Sequence, residues 1–202
     1  MKNVISVGVS NRHVHLCRED LEVLFGKDYQ LKPIKNLSQP GEFAAEETVI
    51  IAGPKGVIEN VRVLGPLRKR TQVEISRTDA YKLGLNVPVR DSGNLDGTPG
   101  CTIIGPKGTV VLKEGVILAK IHIHMTPKDA EMFNVNDKDK VAVLKEGERP
   151  IIYPDVLVRV SEKYALEMHV DTDEANAANI RNGDNVIILG KSDEVIKALF
   201  NK

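Results

Sequence analysis

The chain has little that would tie it to an oxidising compartment, a membrane or a nucleic acid. Its two cysteines, Cys17 and Cys101, form no CxxC pair and are too few for a disulfide framework, which points to a reducing compartment. Lysine plus arginine number 28, as do aspartate plus glutamate, so no net field exists to hold a long polyanion or a charged membrane surface. Local basic spots still suffice for a small anion. Apolar runs such as Val186 to Leu189 fall far short of a membrane span. Near the N-terminus Ser6, Gly8 and Ser10 break the apolar stretch too early for a secretory signal. These absences predict a soluble, cytoplasmic protein whose 202 residues make one large or two small domains.

What is present is a series of short β-branched segments punctuated by Gly, Pro, Asn and Asp. "VISVGV", "TVIIAG", "VIENVRVLG", "CTIIG", "TVVL", "VAVL", "DVLVRV" and "NVIIL" read as strands. "AGPKGVI" and "IGPKGTV" read as two hairpin connections of one make. Helical signals are brief, over 18–25, 78–83, 128–133, 173–179 and 192–200. Many short strands with few helices predict a mainly β chain built as barrels. In the amphipathic last segment Val195, Leu199 and Phe200 are available to cap a barrel, its own in the simplest case.

Four of the five histidines fall in two His-x-His pairs, "RHVHL" and "KIHIHM", and aligning the pairs exposes an internal repeat. His13 and His15 then match His122 and His124, and "CREDLEVLF" lies beside "TPKDAEMFN". In the second copy Thr126 is a natural helix N-cap, with Pro127 at the first helical position and Asp129 three residues after the cap. Cys17 takes the same cap position in the first copy, which weakens any reading of it as a ligand. Further on, "QVEIS" aligns with "EMHVD" and sets Glu74 against His169. The repeat predicts two β-barrel domains flanked by short helices, 1–100 and 101–202, with an approximate boundary and room for strands to exchange between barrels.

Each half therefore offers three donors: His13, His15 and Glu74, then His122, His124 and His169. On a strand, residues i and i+2 share a face, so a His-x-His pair delivers two nitrogens to one point. Imidazole suits zinc, copper, iron or nickel; two His with one Glu, or three His, plus an open fourth position is the pattern of catalytic zinc. Neither triad shows an obvious fourth ligand. Glu74 depends on the alignment, since a lone Glu in "QVEIS" would ordinarily face solvent.

The basic stretch "GPLRKRTQVEIS" ordinarily reads as a solvated loop. Arg68, however, lies six residues before Glu74, and a guanidinium binds phosphate oxygens in a fork. A straight strand would separate the two by about 20 Å, so Arg68 reaches the metal only if the chain turns between them. Lys55 and Arg62 either hold the phosphates of a nucleotide-like ligand or belong to the surface.

In the order "VGVSNRHVHL", "RVLGPLRKRTQVEIS", "RDSGNLDGTPG", "IHIHMTP" and "EMHVDTDEANA", the chain resembles the PduL-type phosphate acyltransferases over nearly its whole length. The resemblance implies two β-barrels and two zinc ions per chain, one on His13, His15 and Glu74 and one on His122, His124 and His169. It implies Arg68 as the phosphate-binding arginine, and coenzyme A contacts at Val9, Ser10, Asn11, Lys55, Arg62 and Asn176. The implied reaction is a direct, zinc-assisted attack of phosphate on a thioester, interconverting a short-chain acyl-CoA plus phosphate with acyl phosphate plus free coenzyme A. Members housed in bacterial microcompartments carry an N-terminal extension; here "VGVSN" begins within ten residues of Met1, which points to a free cytoplasmic enzyme. Partners are acyl-CoA, phosphate and acyl phosphate, without nucleic acid or membrane, and a homo-oligomer stays open. Two rivals stay open as well: a zinc hydrolase and a non-catalytic barrel fastened by metal.

Overall fold

The computed structural model describes residues 4–200, the last without its side chain. The described chain runs β1 (Val4–Ser10), β2 (His13–His15), α1 (Arg18–Phe25), β3 (Pro33–Asn36), β4 (Phe43–Ala52), β5 (Val57–Gly65), β6 (Gln72–Glu74), α2 (Arg77–Leu83), β7 (Val89–Arg90) and β8 (Thr102–Ile104). It continues through β9 (Thr109–Val111), β10 (Val116–Ala119), β11 (His122–Met125), α3 (Pro127–Phe133), β12 (Lys140–Lys145), β13 (Ile151–Val160), β14 (Glu167–Asp171), α4 (Thr172–Ala177), β15 (Asn185–Lys191) and α5 (Ser192–Phe200). The fold is mainly β, with few and short helices. No helix among the described residues is long and apolar enough to cross a membrane.

Contacts divide the chain into two compact units. One holds β1, the short stretch Ser38–Pro40 and the described residues from Lys120 onward; it is a closed barrel in the order β1-β14-β11-β13-β12-β15. The other holds Asn11–Leu37 and Gly41–Ala119, a nine-stranded half-barrel sheet in the order β7-β10-β6-β2-β5-β4-β8-β9 with β3 on β4. The repeat is visible in the pairing. β11 lies between β13, parallel, and β14, antiparallel; β2 lies between β5, parallel, and β6, antiparallel. The next neighbour is parallel in both units, β1 on β14 and β10 on β6. β1 precedes β2 in sequence yet belongs to the barrel of β11, while β10 precedes β11 and belongs to the sheet of β2. The two copies thus exchange the strand that leads into each His-x-His.

The central residue of each pair, Val14 and Ile123, is fully buried in its unit's own core. Val14 shares its core with Leu16, Leu21, Leu24, Ile51, Val63 and Val73; Ile123 shares the other with Val7, Met125, Val141, Val158 and Met168. Each such side chain contributes roughly 1.5–3 kcal/mol when removed from water. Both His-x-His strands are therefore anchored by the residue between the histidines.

Three helices begin with reciprocal caps, Ser76 with Asp79, Thr126 with Asp129, and Asp171 with Glu174, each satisfying two backbone N–H groups. α1 begins at Cys17, whose side chain makes no cap hydrogen bond. Thr71 takes the part that the third helical residue plays in the other caps: its hydroxyl oxygen accepts the Cys17 N–H at 3.0 Å, and the hydroxyl donates to Asp20. The two Gly-Pro-Lys-Gly connections have a common task at the other helix ends. Lys55 N–H donates to the Leu83 carbonyl of α2 at 3.1 Å, and Lys107 N–H to the Leu24 carbonyl of α1 at 3.0 Å. A Cβ on Gly53 or Gly105 would collide with that same carbonyl oxygen, which is why glycine opens each turn. At the C-terminus α5 lies against β12, β13 and β15 of its own barrel, with Leu199 exposed; the Phe200 side chain lies outside the described residues.

Candidate metal centres

The antiparallel β2–β6 pair sets Glu74 directly opposite His13 and Gln72 opposite His15. The β11–β14 pair sets His169 opposite His122 and Glu167 opposite His124. Because alternate strand residues share a face, each register brings three donors together. One ligand atom from each of His13, His15 and Glu74 lies within 4.8 Å of the other two, and the same holds for His122, His124 and His169.

Hydrogen bonds prepare the rings in the same way in both units. His13 Nδ1 is 2.8 Å from the Asn11 carbonyl, and His122 Nδ1 is 2.7 Å from the Lys120 carbonyl. A carbonyl there takes Nδ1–H and puts the ring's lone pair on Nε2, the arrangement of metal-ligating histidine. The second histidine of each pair buries an Nδ1 that has no hydrogen-bond partner, in His15 and in His124. Two buried, unpartnered ring nitrogens at matching places are costly unless an ion or ligand meets them.

Protonation follows the same logic. Burial lowers the pKa of His15 well below its usual value, and His13 and Arg68 add to the effect. Burial, with His122 and His169 nearby, drives His124 down to about 2. Burial also opposes the charged form of His13, but the Glu74 carboxylate outweighs it and raises this pKa. Burial alone would raise Glu74; His13, His15 and Arg68 hold it far below the usual carboxylate range instead. Neutral imidazole and ionised carboxylate are the forms a cation binds. The donor set and its orphaned nitrogens fit a zinc-like ion in each unit.

The chain turns sharply after β5 and brings Arg68 back: its Nη1 lies 3.9 Å from Glu74 Oε1 and 2.9 Å from Ser92 Oγ, and its Nη2 lies 3.8 Å from Glu42. Ser92 is a junction, since its hydroxyl is also 3.1 Å from Glu74 Oε1 and 2.9 Å from Gln72 Nε2. Gln72 in turn donates to Glu74 and accepts the Gly93 N–H at 2.8 Å. In the other unit Arg159 is the β13 partner of His124, and the Tyr164 ring stacks on His124 at 4.2 Å.

The six residues expected to touch coenzyme A have separate settings. Asn11 supplies the carbonyl that orients His13, and its side chain accepts the Arg12 N–H. Arg62 is the β5 partner of His13 and donates to the Ala45 and Glu46 carbonyls. Val9 N–H donates to Asn182 Oδ1, and Ser10 pairs with Asp171. Asn176 lies in α4, its carbonyl accepting from Arg149. Lys55 sits in the turn that packs on the end of α2.

Ser92, Glu42, Gln72, Glu167 and Arg159 are further neighbours of the sites. Gln72 and Glu167 carried a signal, lying two residues before the third donor on the same strand face. Ser92 and Glu42 come from loops with no periodicity to place them.

Residues 6–181 match the family model described as phosphate propanoyltransferase. The chain is 67% identical over 186 residues to a phosphate propanoyltransferase of Thermotoga maritima, covering 92% of this chain and 89% of that protein. It is 54% identical over 186 residues to one of Priestia megaterium (92% and 86%) and 49% identical over 188 residues to one of Enterococcus faecalis (93% and 89%).

Proposed function

The chain belongs to the phosphate propanoyltransferase family, and from that premise we propose that it exchanges phosphate and coenzyme A on a short acyl group, with one zinc on His13, His15 and Glu74 and a second on His122, His124 and His169. The observation that carries this reading is the convergence, in one unit, of a triad of metal donors with a guanidinium held beside it, Arg68 Nη1 at 3.9 Å from Glu74.

In the proposed reaction a phosphate oxygen attacks the thioester carbonyl carbon, the C–S bond breaks, and sulfur leaves as the coenzyme A thiolate; the products are acyl phosphate and coenzyme A. Phosphate is anionic at neutral pH, so no enzyme base has to activate it. Arg68 binds it through N–H donors, while Ser92 and Glu42 hold the guanidinium in place. Holding both reactants in place removes much of the entropic barrier. Zinc, when bound, supplies a Lewis acid for the negative charge that develops on oxygen. Asn11 keeps His13 turned so that Nε2 faces the other donors. Coenzyme A contacts at Val9, Ser10, Asn11, Lys55, Arg62 and Asn176 belong to the same proposal.

The test is coenzyme A release from acetyl-CoA and propionyl-CoA with and without phosphate. The expected result is release that requires phosphate and yields acyl phosphate in equal amount. Release without phosphate identifies a hydrolase instead, and no release on zinc-loaded protein leaves a non-catalytic barrel.

A further inference from the structure

We propose that Glu167 is a positioning residue for the cation held by His122, His124 and His169, acting from outside that trio. The inference rests on the metal reading above and adds a residue to it.

Glu167 is the β14 partner of His124 and shares a strand face with His169, two residues away. Its Oε2 lies 2.9 Å from His169 Nε2 without completing a hydrogen bond to it, so the negative charge stands beside that nitrogen. Glu167 is not among the donors gathered within 4.8 Å of one another. Two further contacts fix the carboxylate. Ser38 Oγ donates to Oε2, and Gly8, the β1 partner of His169, presents bare backbone beneath it: a Cβ there would fall 3.0 Å from both Cδ and Oε2 of Glu167.

The equivalent place in the other unit, opposite His15, is occupied by the neutral amide of Gln72. That unit has its carboxylate among the ligands, as Glu74, and an amide at the outer position. The barrel has a third imidazole among the ligands, His169, and a carboxylate at the outer position. Acid and neutral group have changed places, and each site keeps one carboxylate. Three imidazole ligands bring no charge to a dication, so Glu167 compensates it from beside the site.

The experiment is a zinc titration against a competing chelating dye, run on His13→Ala protein, which keeps the barrel site alone, and on His122→Ala protein, which keeps the other. Glu167→Gln is expected to weaken zinc binding about 10- to 100-fold on the first background and to change nothing on the second. Thermal unfolding of the zinc-free protein is expected to stay the same, which separates this role from a structural one. Gly8→Ala, which displaces the carboxylate without removing it, is expected to weaken the same site only. Unchanged affinity in Glu167→Gln, or equal weakening on both backgrounds, overturns the proposal. Failure of the unsubstituted protein to take up zinc overturns the metal reading itself, and this inference with it.

Discussion

Glu74 stands directly across the β2–β6 pair from His13, its Oε2 3.5 Å from the imidazole Nε2, in the register that sets His169 across from His122 in the barrel. One backbone arrangement thus carries two donor sets that differ only in the third ligand. The sites are a product of strand register, and changes in side-chain chemistry at fixed register test them.

Glu74→Gln preserves size and the contacts to Gln72 and Ser92 but removes the anionic oxygen. Zinc content is expected to fall from two to one per chain under a chelator that spares the unsubstituted protein, with activity down at least about 100-fold. Elemental analysis beside the coenzyme A assay checks both.

Arg68→Ala removes the guanidinium held by Ser92 and Glu42 and leaves both triads intact. Turnover is expected to fall on the order of 10²- to 10³-fold, with a raised KM for phosphate and unchanged zinc content. Arg68→Lys restores the charge without the fork and should recover only part of the loss. Normal phosphate kinetics in the alanine variant would exclude the assigned role.

Gly53→Ala and Gly105→Ala each drive a methyl group into a helix-terminal carbonyl, Leu83 in one case and Leu24 in the other. A loss of about 1–3 kcal/mol in unfolding free energy is expected for each, because a backbone carbonyl cannot rotate away as a side chain would. Chemical denaturation with both variants measures it.

Glu174 gives a pH dependence separate from the metal ligands. Burial, with Asp171 and Asp173 nearby, raises its pKa to about 7. The unfolded chain loses this proton near the ordinary carboxylate value and the folded chain only near 7. The folded state therefore binds more protons in between, and this group's contribution to stability falls as pH rises through that window. Glu174→Gln keeps the cap on the Asp171 N–H and removes the titration. Its stability gain over the unsubstituted protein should be near zero below pH 4.5 and level off above pH 7, at no more than about 3 kcal/mol. Denaturant melts across that range follow the difference, and a gain independent of pH would contradict the account.

Much of this was legible in the sequence because the signals were local. A His-x-His in a β-branched segment places two nitrogens on one face, and Thr126-Pro127 with Asp129 announces a helix start. The third donors, Glu74 and His169, came from the repeat, which carries register information that one copy lacks. Features set by non-local pairing were not legible. Nothing in "VISVGVS" names β14 and β15 as its partners, so the exchange of β1 and β10 had to be seen in the sheets. β3 is exposed at every residue and β7 has only two, so neither shows an apolar alternation. Ser92 and Glu42 approach Arg68 through loops. The repeated Gly-Pro-Lys-Gly reads as a turn from its residues, but its task of meeting a helix end depends on helices elsewhere in the chain.

The most direct measurement is elemental analysis of the unsubstituted protein, purified from zinc-supplemented culture and dialysed against zinc-free buffer. Two zinc ions per chain are expected, falling to one in His13→Ala and one in His122→Ala. Protein that folds normally, transfers acyl groups and carries no bound metal would contradict the account.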